Sequence, residues 1–417
     1  MHHFASRNGE LYCEDVPLAE LADRFGTPLY VYSRATLERH YRVFDDAFAD
    51  FPHIICFAVK ANASLAILNL LAGMGSGADI VSGGELYRAL KAGIAPDRIV
   101  YSGVGKTIKE MRQALDAGIL MFNIESFQEL EVLDSVAKSA GKRASIALRV
   151  NPDIDPATHP YIATGLKTSK FGIRFDRAVD GYEQAAKLEN IEVVGVDCHI
   201  GSQLTELNPF IEAVVRLREM MGKLRERGFS VRYLDLGGGL GITYDAEDPP
   251  SPAEYGKSIR EQLKEDGITL ILEPGRNLIG NAGVLLTRVL YTKETESKRF
   301  VVIDAGMNDL MRPSLYESYH EVVPVKDKER KQVEADIVGP ICESGDFIAL
   351  GRKLPEMKPG ELAAVMSAGA YGFSMASTYN SRPLAAEVLV DGDRCALIRE
   401  RGTYDDLIRG ERLPEWE

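Results

Sequence analysis

The sequence predicts an α/β protein. A (β/α)8 barrel of TIM type would span residues 31–278, and a mostly β, sandwich- or barrel-like domain would span 279–417. Two observations carry that prediction. Between residues 53 and 276 one unit recurs: an apolar strand, a short polar or glycine turn, an amphipathic helix and a closing glycine. After Arg276 the helical periodicity fades, and "RFVVIDAG", "EADIVGP", "ELAAVMSAG" and "AAEVLVDGDRCALIRE" read as strands, the last with an Asp-Gly turn suited to a hairpin. Residues 1–30 precede the barrel and are expected to pack with the β domain.

The first strand is "HIICFAVKAN", a continuous apolar run of the kind a strand covered on both faces requires, followed by the helical "SLAILNLLAGMG". "GADIVSGG" then leads into "ELYRALKAG", "DRIVYSGVGK" into "TIKEMRQALDAG", and "LMFNIES" into "FQELEVLDSVAKSAG". "RASIALRVNP" precedes an insertion and "RAVDGYEQAAKLE"; "IEVVGVDCHIGS" precedes "NPFIEAVVRLREMMGKLRERG". "VRYLDLGGG" leads to "PAEYGKSIREQLKEDG", and "ITLILEPGR" closes the series. Glycine after "LKA", "LDA", "KSA" and "KED" supplies the left-handed cap that turns a helix back into a strand. Such alternation implies parallel strands joined by right-handed crossovers. A doubly wound open sheet competes with the barrel, but eight regular units without a break in composition favour closure.

The chain has 417 residues, 45% hydrophobic and 27% charged, with a formal net charge of -13. That acidic balance argues against nucleic acid or anionic membranes as partners, so an anionic ligand would need a few local arginines. The opening "MHHFASRNGELYCEDV" has no basic stretch before an apolar core, and no run reaches the length of a membrane helix. Five scattered cysteines without a Cys-x-x-Cys pair suggest a reducing, cytoplasmic setting and no metal site.

In such a barrel the C-terminal strand ends line the active site. Read in order they are Lys60, Asp79, Ser102, Asn123, Arg149, His199 with Ser202, Gly237-Gly238-Gly239, and Glu273 with Arg276. Each has an ordinary alternative. Lys60 alone could snorkel to water, His199 alone could be a hydrogen-bonded structural residue, and "GGGLG" could serve sterics only. Together they offer an amine nucleophile, a flat ring, an anion cradle and a carboxylate. Those are the parts pyridoxal phosphate needs: an amine for its aldehyde, glycine amides and an arginine for its phosphate, a carboxylate for its ring nitrogen.

The motifs "FAVKAN", "SKFGI", "HIGSQ", "DLGGGLG", "EPGR", "DAGMNDLMRPSLY", "GPICESGDF" and "GAYGFSMASTYN" run in order along the chain. With them the sequence resembles the fold-type III pyridoxal-phosphate decarboxylases, and within these the diaminopimelate decarboxylase family. The resemblance implies decarboxylation of meso-2,6-diaminopimelate to L-lysine and carbon dioxide, the last step of lysine biosynthesis. It makes Lys60 the lysine that carries pyridoxal 5'-phosphate, with Asp79 nearby and His199 against the ring. Ser202, Gly238, Gly239, Gly275 and Arg276 would hold the phosphate, Glu273 would face the ring nitrogen, and Tyr371 would close over cofactor and substrate. Arg276, Arg312 and Tyr316 would take the substrate's distal carboxylate and Glu343 its distal ammonium. Cys342 would donate the proton that replaces the carboxylate, and the resemblance places Cys342 and Glu343 in the partner subunit of a homodimer. From the residues alone Cys342 reads as an inert buried thiol, and for Arg312 a solvated surface ion pair is as good a reading as a ligand contact. The alternatives are a sister decarboxylase acting on ornithine, arginine or carboxynorspermidine, and a non-catalytic relative, which should lack the lysine or the thiol.

Overall fold

The computed structural model describes residues 2–154, 169–263, 267–326 and 330–416. The insertion after the fifth strand and the "KED" of the last closing glycine fall on 155–168 and 264–266, outside the described residues. The chain divides into two compact units. One runs from Glu38 to Leu278, and the other joins the residues up to Leu37 with those from Ile279 onward.

The first unit is the closed barrel. His53–Ala58, Gly77–Ile80, Ile99–Tyr101, Met121–Ile124, Ala144–Asn151, Ile191–Asp197, Tyr233–Asp235 and Thr269–Leu272 pair in parallel in chain order. The ring shuts where Leu270–Leu272 meet His53–Ile55 in register, so the open-sheet alternative does not hold. A short strand, Ile173–Arg174, adds to the outer edge of the fifth.

In the second and fourth units the helix begins within three residues of the strand, and there and in the third the turn carries a capping side chain. Ser82 and Ser126 accept from the backbone of Glu85 and Glu129, and Thr107 forms a reciprocal capping box with Glu110. Gly118 and Gly141 end their helices at φ 74° and 63°, the left-handed values expected of them. In "LKAG" the cap is Ala92, and Gly93 makes the turn one residue later at φ 92°.

Inside the barrel, Cys56, Val100, Met121, Ala147, Val194 and Ile271 form a buried apolar plug. Side chains two apart on a strand share a face. Two residues beyond the plug, four of these strands lead to Ser102, Asn123, Arg149 and Glu273, so most of the interior changes from hydrocarbon to polar groups within one step of the pleat. Around the outside, Gly256 of the helix Pro252–Leu263 lets that helix press on the backbone at Ala47.

The second unit is mostly β. Its main sheet runs in the order Phe347–Pro355, Gln332–Val338, Arg299–Ile303, Gly283–Glu294, Leu29–Ser33, Ala386–Asp391, Arg394–Arg399. Val322–Pro324 and Leu362–Val365 branch from it. Leu29–Ser33 runs parallel to Ala386–Asp391 and antiparallel to Gly283–Glu294, so residues 31–37 belong to this unit and the barrel unit starts at Glu38 rather than 31. The hairpin Ala386–Arg399 turns at Gly392, at φ 64°. Phe4, Leu11, Val16 and Leu21 from the N-terminal segment share one core with Val284, Leu286, Ala386 and Val388.

An added methyl at Gly256 would lie 2.4 Å from the Ala47 carbonyl oxygen. Gly256→Ala should therefore lower the unfolding free energy by about 1–3 kcal/mol, the usual cost of overpacking, despite alanine's better helix propensity. Urea unfolding followed by circular dichroism measures it, and an unchanged midpoint would mean that the helix moves aside freely.

Candidate active site

At the polar end of the barrel, a cavity of about 380 Å³ is lined by Lys60, Arg149, Phe171, Asp197, His199 and Glu273, among others. Lys60 sits in the 3-10 turn Val59–Ala61 that immediately follows the first strand. Its Nζ lies 2.5 Å from Asp79 Oδ2 on the second strand. The lysine side chain is 35% exposed and the aspartate 0%, so the amine is reachable from the cavity while its counter-ion is sealed behind it. Lys60 does not simply snorkel to bulk water.

His199 follows the sixth strand, and its Nδ1 accepts the Gly238 backbone N–H at 3.1 Å. Burial, with Arg149 and Lys60 nearby, holds its pKa well below the usual histidine value. The ring is a neutral imidazole that keeps its proton on Nε2. Room for it comes from Gly237, where a Cβ would lie 2.5 Å from His199 Nδ1. A Cβ at Gly238 would lie 2.3 Å from the Glu273 carbonyl oxygen, and one at Gly239 2.7 Å from that of Gly201. The triple glycine is thus sterically required, and the same closeness presses its backbone against the residues that end the neighbouring strands.

Arg276 opens the short helix Arg276–Ile279 after Pro274-Gly275, where the Gly275 carbonyl accepts from Leu278 N. Its guanidinium donates to Ser202 Oγ at 3.0 Å and to the Tyr244 hydroxyl at 2.7 Å. Gln203, in the left-handed region at φ 61°, exchanges two hydrogen bonds with the backbone of Ile242, which binds the "HIGSQ" turn to the "GGGLG" turn. Ser202, the glycines and Arg276 are thereby gathered at the adjacent ends of strands six, seven and eight.

The carboxylates form a larger group than the strand-end reading gave. Glu273 accepts from Ser102 Oγ at 3.4 Å, and Asn123 Nδ2 donates to Ser102 Oγ at 3.1 Å and to Asp235 Oδ2 at 3.0 Å. Asp235 also receives the Gly237 N–H at 2.9 Å. Burial, then the charges of Asp235, Asp79 and Asp197, raise the Glu273 pKa well above the ordinary range. Burial and Asp235 do the same to Asp197, and burial pushes Asp235 up to about 6. Asp79 Oδ1 and Asp197 Oδ1 are buried with no hydrogen-bond partner among the described residues. The site is short of donors, as a place built to receive a donor-bearing, positively charged ring would be.

Asp197, Asp235, Gln203, Tyr244, Glu125 and Phe171 were not singled out by sequence. The signal available for the first two was their place at the ends of strands six and seven, inside "VDCHIGS" and "LDLGGG".

The remaining expected residues lie in the second unit. Arg312 begins the helix Arg312–Tyr316 and is buried, which corrects the solvated-pair reading; its guanidinium meets His320 Nε2 at 2.9 Å and Ser318 Oγ at 3.3 Å. Ser314 of the same helix donates to the Gly345 carbonyl, and Asp346 takes the N–H groups of Met307 and Ile341. These bonds draw Arg312 and Tyr316 toward the turn that carries Cys342 and Glu343. Both of the latter are exposed, so Cys342 is not the buried thiol its apolar flank suggested. Tyr371 takes φ 56°, a strained value for a non-glycine residue, between Gly369 and Gly372, which are packed closely against backbone and against Tyr30.

Residues 34–280 match the family described as "Pyridoxal-dependent decarboxylase, pyridoxal binding domain". Diaminopimelate decarboxylase of Aquifex aeolicus is 55% identical over 96% of this chain and 96% of its own length. That of Pseudomonas aeruginosa is 53% identical over 99% of both. The chain belongs to the diaminopimelate decarboxylase family. Among solved structures, the family member from M. jannaschii in co-complex with L-lysine superposes with a TM-score of 0.94 at 40% identity, covering 99% of each chain. The barrel mouth lies within the matched pyridoxal-binding region of the family.

The acid cluster sets a pH dependence. The folded pKa of Asp235 is raised from 3.8 to about 6. Across that window the native state keeps a proton that the unfolded chain has lost, so this group's contribution to stability falls as pH rises. Cofactor-free protein should therefore lose unfolding free energy between pH 4 and 6, and Asp235→Asn should flatten the slope. Urea titrations at several pH values check this; parallel wild-type and variant curves would count against it.

Proposed function

We propose that this chain is a carbon–carbon lyase that decarboxylates meso-2,6-diaminopimelate to L-lysine and carbon dioxide, with pyridoxal 5'-phosphate as its cofactor. The observation that carries the reading is the cavity-facing Lys60 amine paired with sealed Asp79, in a chain more than half identical to diaminopimelate decarboxylases along nearly its full length. The residues present suit that cofactor: the orphaned acceptors Asp79 Oδ1 and Asp197 Oδ1 ask for positive charge, and the glycine turn with Ser202 and Arg276 suits an anion.

When bound, pyridoxal phosphate supplies the electron sink for the pair left behind by the departing carboxylate. Lys60 is the residue that would hold it, through Nζ. Arg276 and Ser202, with the backbone of Gly238, Gly239 and Gly275, hold the phosphate. His199, neutral and fixed by Gly238, presents a flat apolar face to the ring. Glu273 would face the ring nitrogen, and burial with three neighbouring acids gives it a high affinity for the proton the two would share.

Arg276, Arg312, Tyr316 and Tyr371 serve the substrate's carboxylate end, and Glu343 its distal ammonium. Cys342 delivers the proton to Cα. Its exposure, and that of Glu343, support their serving the other subunit of a homodimer. The five free cysteines support a cytoplasmic setting, and no described helix is long and apolar enough to cross a membrane.

Incubation with meso-diaminopimelate, ornithine and arginine in turn should release carbon dioxide from the first alone; release from ornithine instead would move the protein to the polyamine branch. In the same preparation Lys60→Ala should lose the long-wavelength absorbance of lysine-bound cofactor, and an unchanged spectrum would remove Lys60 from its role. Arg312→Ala should raise KM for meso-diaminopimelate by about tenfold or more, as expected for losing a charge-assisted hydrogen bond of about 1.5–3 kcal/mol, while cofactor binding is kept. Steady-state kinetics decide, and an unaltered KM would place the distal carboxylate elsewhere.

A further inference from the structure

We propose that Glu125 is a positioning residue for the cavity, fixing Arg149 and the Phe171–Gly172 stretch as one wall of it through a single carboxylate that does not itself line the space. The inference deepens the proposed function and rests on it for its kinetic arm.

Glu125 comes directly after the fourth strand and is buried. Its Oε1 accepts from Arg149 Nη1 at 2.7 Å and from the Gly103 N–H at 3.2 Å. Its Oε2 accepts from the Gly172 N–H at 2.7 Å. One anion therefore joins the turn after strand three, the end of strand five and the chain beyond it. Gly103, Arg149 and Phe171 all line the cavity. The Arg149 guanidinium stands 4.7 Å from the Phe171 ring centroid, so holding the arginine and the neighbouring Gly172 also holds the ring. Gly172 adopts φ 73°, and a Cβ there would sit 3.1 Å from the Arg149 carbonyl oxygen, which shows how closely the two stretches are drawn together.

The latch is itself anchored. Glu125 N donates to Glu129 Oε2 at 2.9 Å, and Glu129 Oε1 receives the fully buried Lys106 ammonium at 2.6 Å. Lys106 also donates to the carbonyls of Gly103 and Asn123, at 2.8 and 2.7 Å. Gly103 is thus gripped at its N–H by Glu125 and at its carbonyl by Lys106. A glutamine at 125 could satisfy Arg149 and Gly103 with its one oxygen, but would turn an NH2 toward the Gly172 N–H. Donor would face donor, and the wall would part from the barrel at that point.

The test uses the holoenzyme with pyridoxal phosphate and Glu125→Gln. Hydrogen exchange at Phe171 and Gly172 should quicken while the rest of the barrel is unchanged. KM for meso-diaminopimelate should rise about tenfold with kcat and the cofactor spectrum little altered, since losing a charge-assisted bond weakens binding and leaves the chemistry in place. Phe171→Ala should raise KM similarly, and the double variant should be no worse than either single, because both act on one wall. Unchanged exchange at Gly172 would overturn the latch. Quickened exchange with unchanged KM, or additive KM effects, would reduce Glu125 to a structural role and overturn the proposal. If wild-type protein releases no carbon dioxide from meso-diaminopimelate, the substrate assignment fails, and the exchange arm still decides the latch because it needs no substrate.

Discussion

Burying charge at the mouth of a closed barrel is the constraint on which this site rests. Inward-facing positions just beyond the apolar plug are buried and largely cut off from bulk water. A cation left unpaired there would be strongly destabilising. Among the described residues, the two cations that line the cavity are each matched by a buried acid, Lys60 by Asp79 and Arg149 by Glu125. Each pair also sets a direction, since the acid sits on a neighbouring strand end or turn and draws its partner across. Asp197, Asp235 and Glu273 are left in excess, and burial first, then the charge of neighbouring acids, raises their proton affinity. Burial first, then the charges of Arg149 and Lys60, depresses His199. Acids and imidazole are therefore shifted together by burial and by one local charge balance.

Glycine at 237, 238 and 239 belongs to the same constraint. Strands that converge on a small cavity bring their turns into backbone contact, and a methyl at any of the three would collide with His199, Glu273 or Gly201. A steric and a ligand-binding explanation for "GGGLG" looked like rivals when only residue types were in view. In the structure the tight approach that forbids a side chain still leaves the backbone of Gly238 and Gly239 partly exposed, so the two explanations do not compete.

The barrel was legible because each of its units is local: strand, cap, helix and closing glycine lie within about one repeat, and parallel pairing follows from alternation. The second unit was only partly legible. Its long strand Gly283–Glu294 was not anticipated, and it pairs with Leu29–Ser33 from the far end of the chain, a contact that no local pattern encodes. The same distinction runs through the site. Lys60, Glu273 and Arg276 stood out because a charged residue ending an apolar strand is chemically conspicuous. Asp197 and Asp235 end strands too, but a carboxylate before a glycine-rich turn also reads as turn chemistry, and only its burial distinguishes it. Arg312 and Cys342 show the limit from both sides. The arginine that flanking sequence left undecided between surface and site is buried against His320, and the thiol whose apolar flank suggested the interior is exposed, because tertiary packing rather than flanking sequence decides accessibility.

Accessibility in turn explains why the lysine and its acid differ so much. In the proposed reaction the amine must exchange one bonding partner for another, whereas Asp79 must stay where it is. A counter-ion on a mobile or solvated side chain would follow the amine and lose its direction. Asp79 is held within a strand paired on both sides, at Ala58 and Val100, while Lys60 stands on a short turn beyond its strand. The rigid member is the sealed one and the adaptable member is the one that faces the cavity. The same division recurs around Glu125, where a buried acid holds fixed and the arginine it orients meets the space. At this mouth the buried carboxylates set direction, and the groups they direct are left free to meet the ligand.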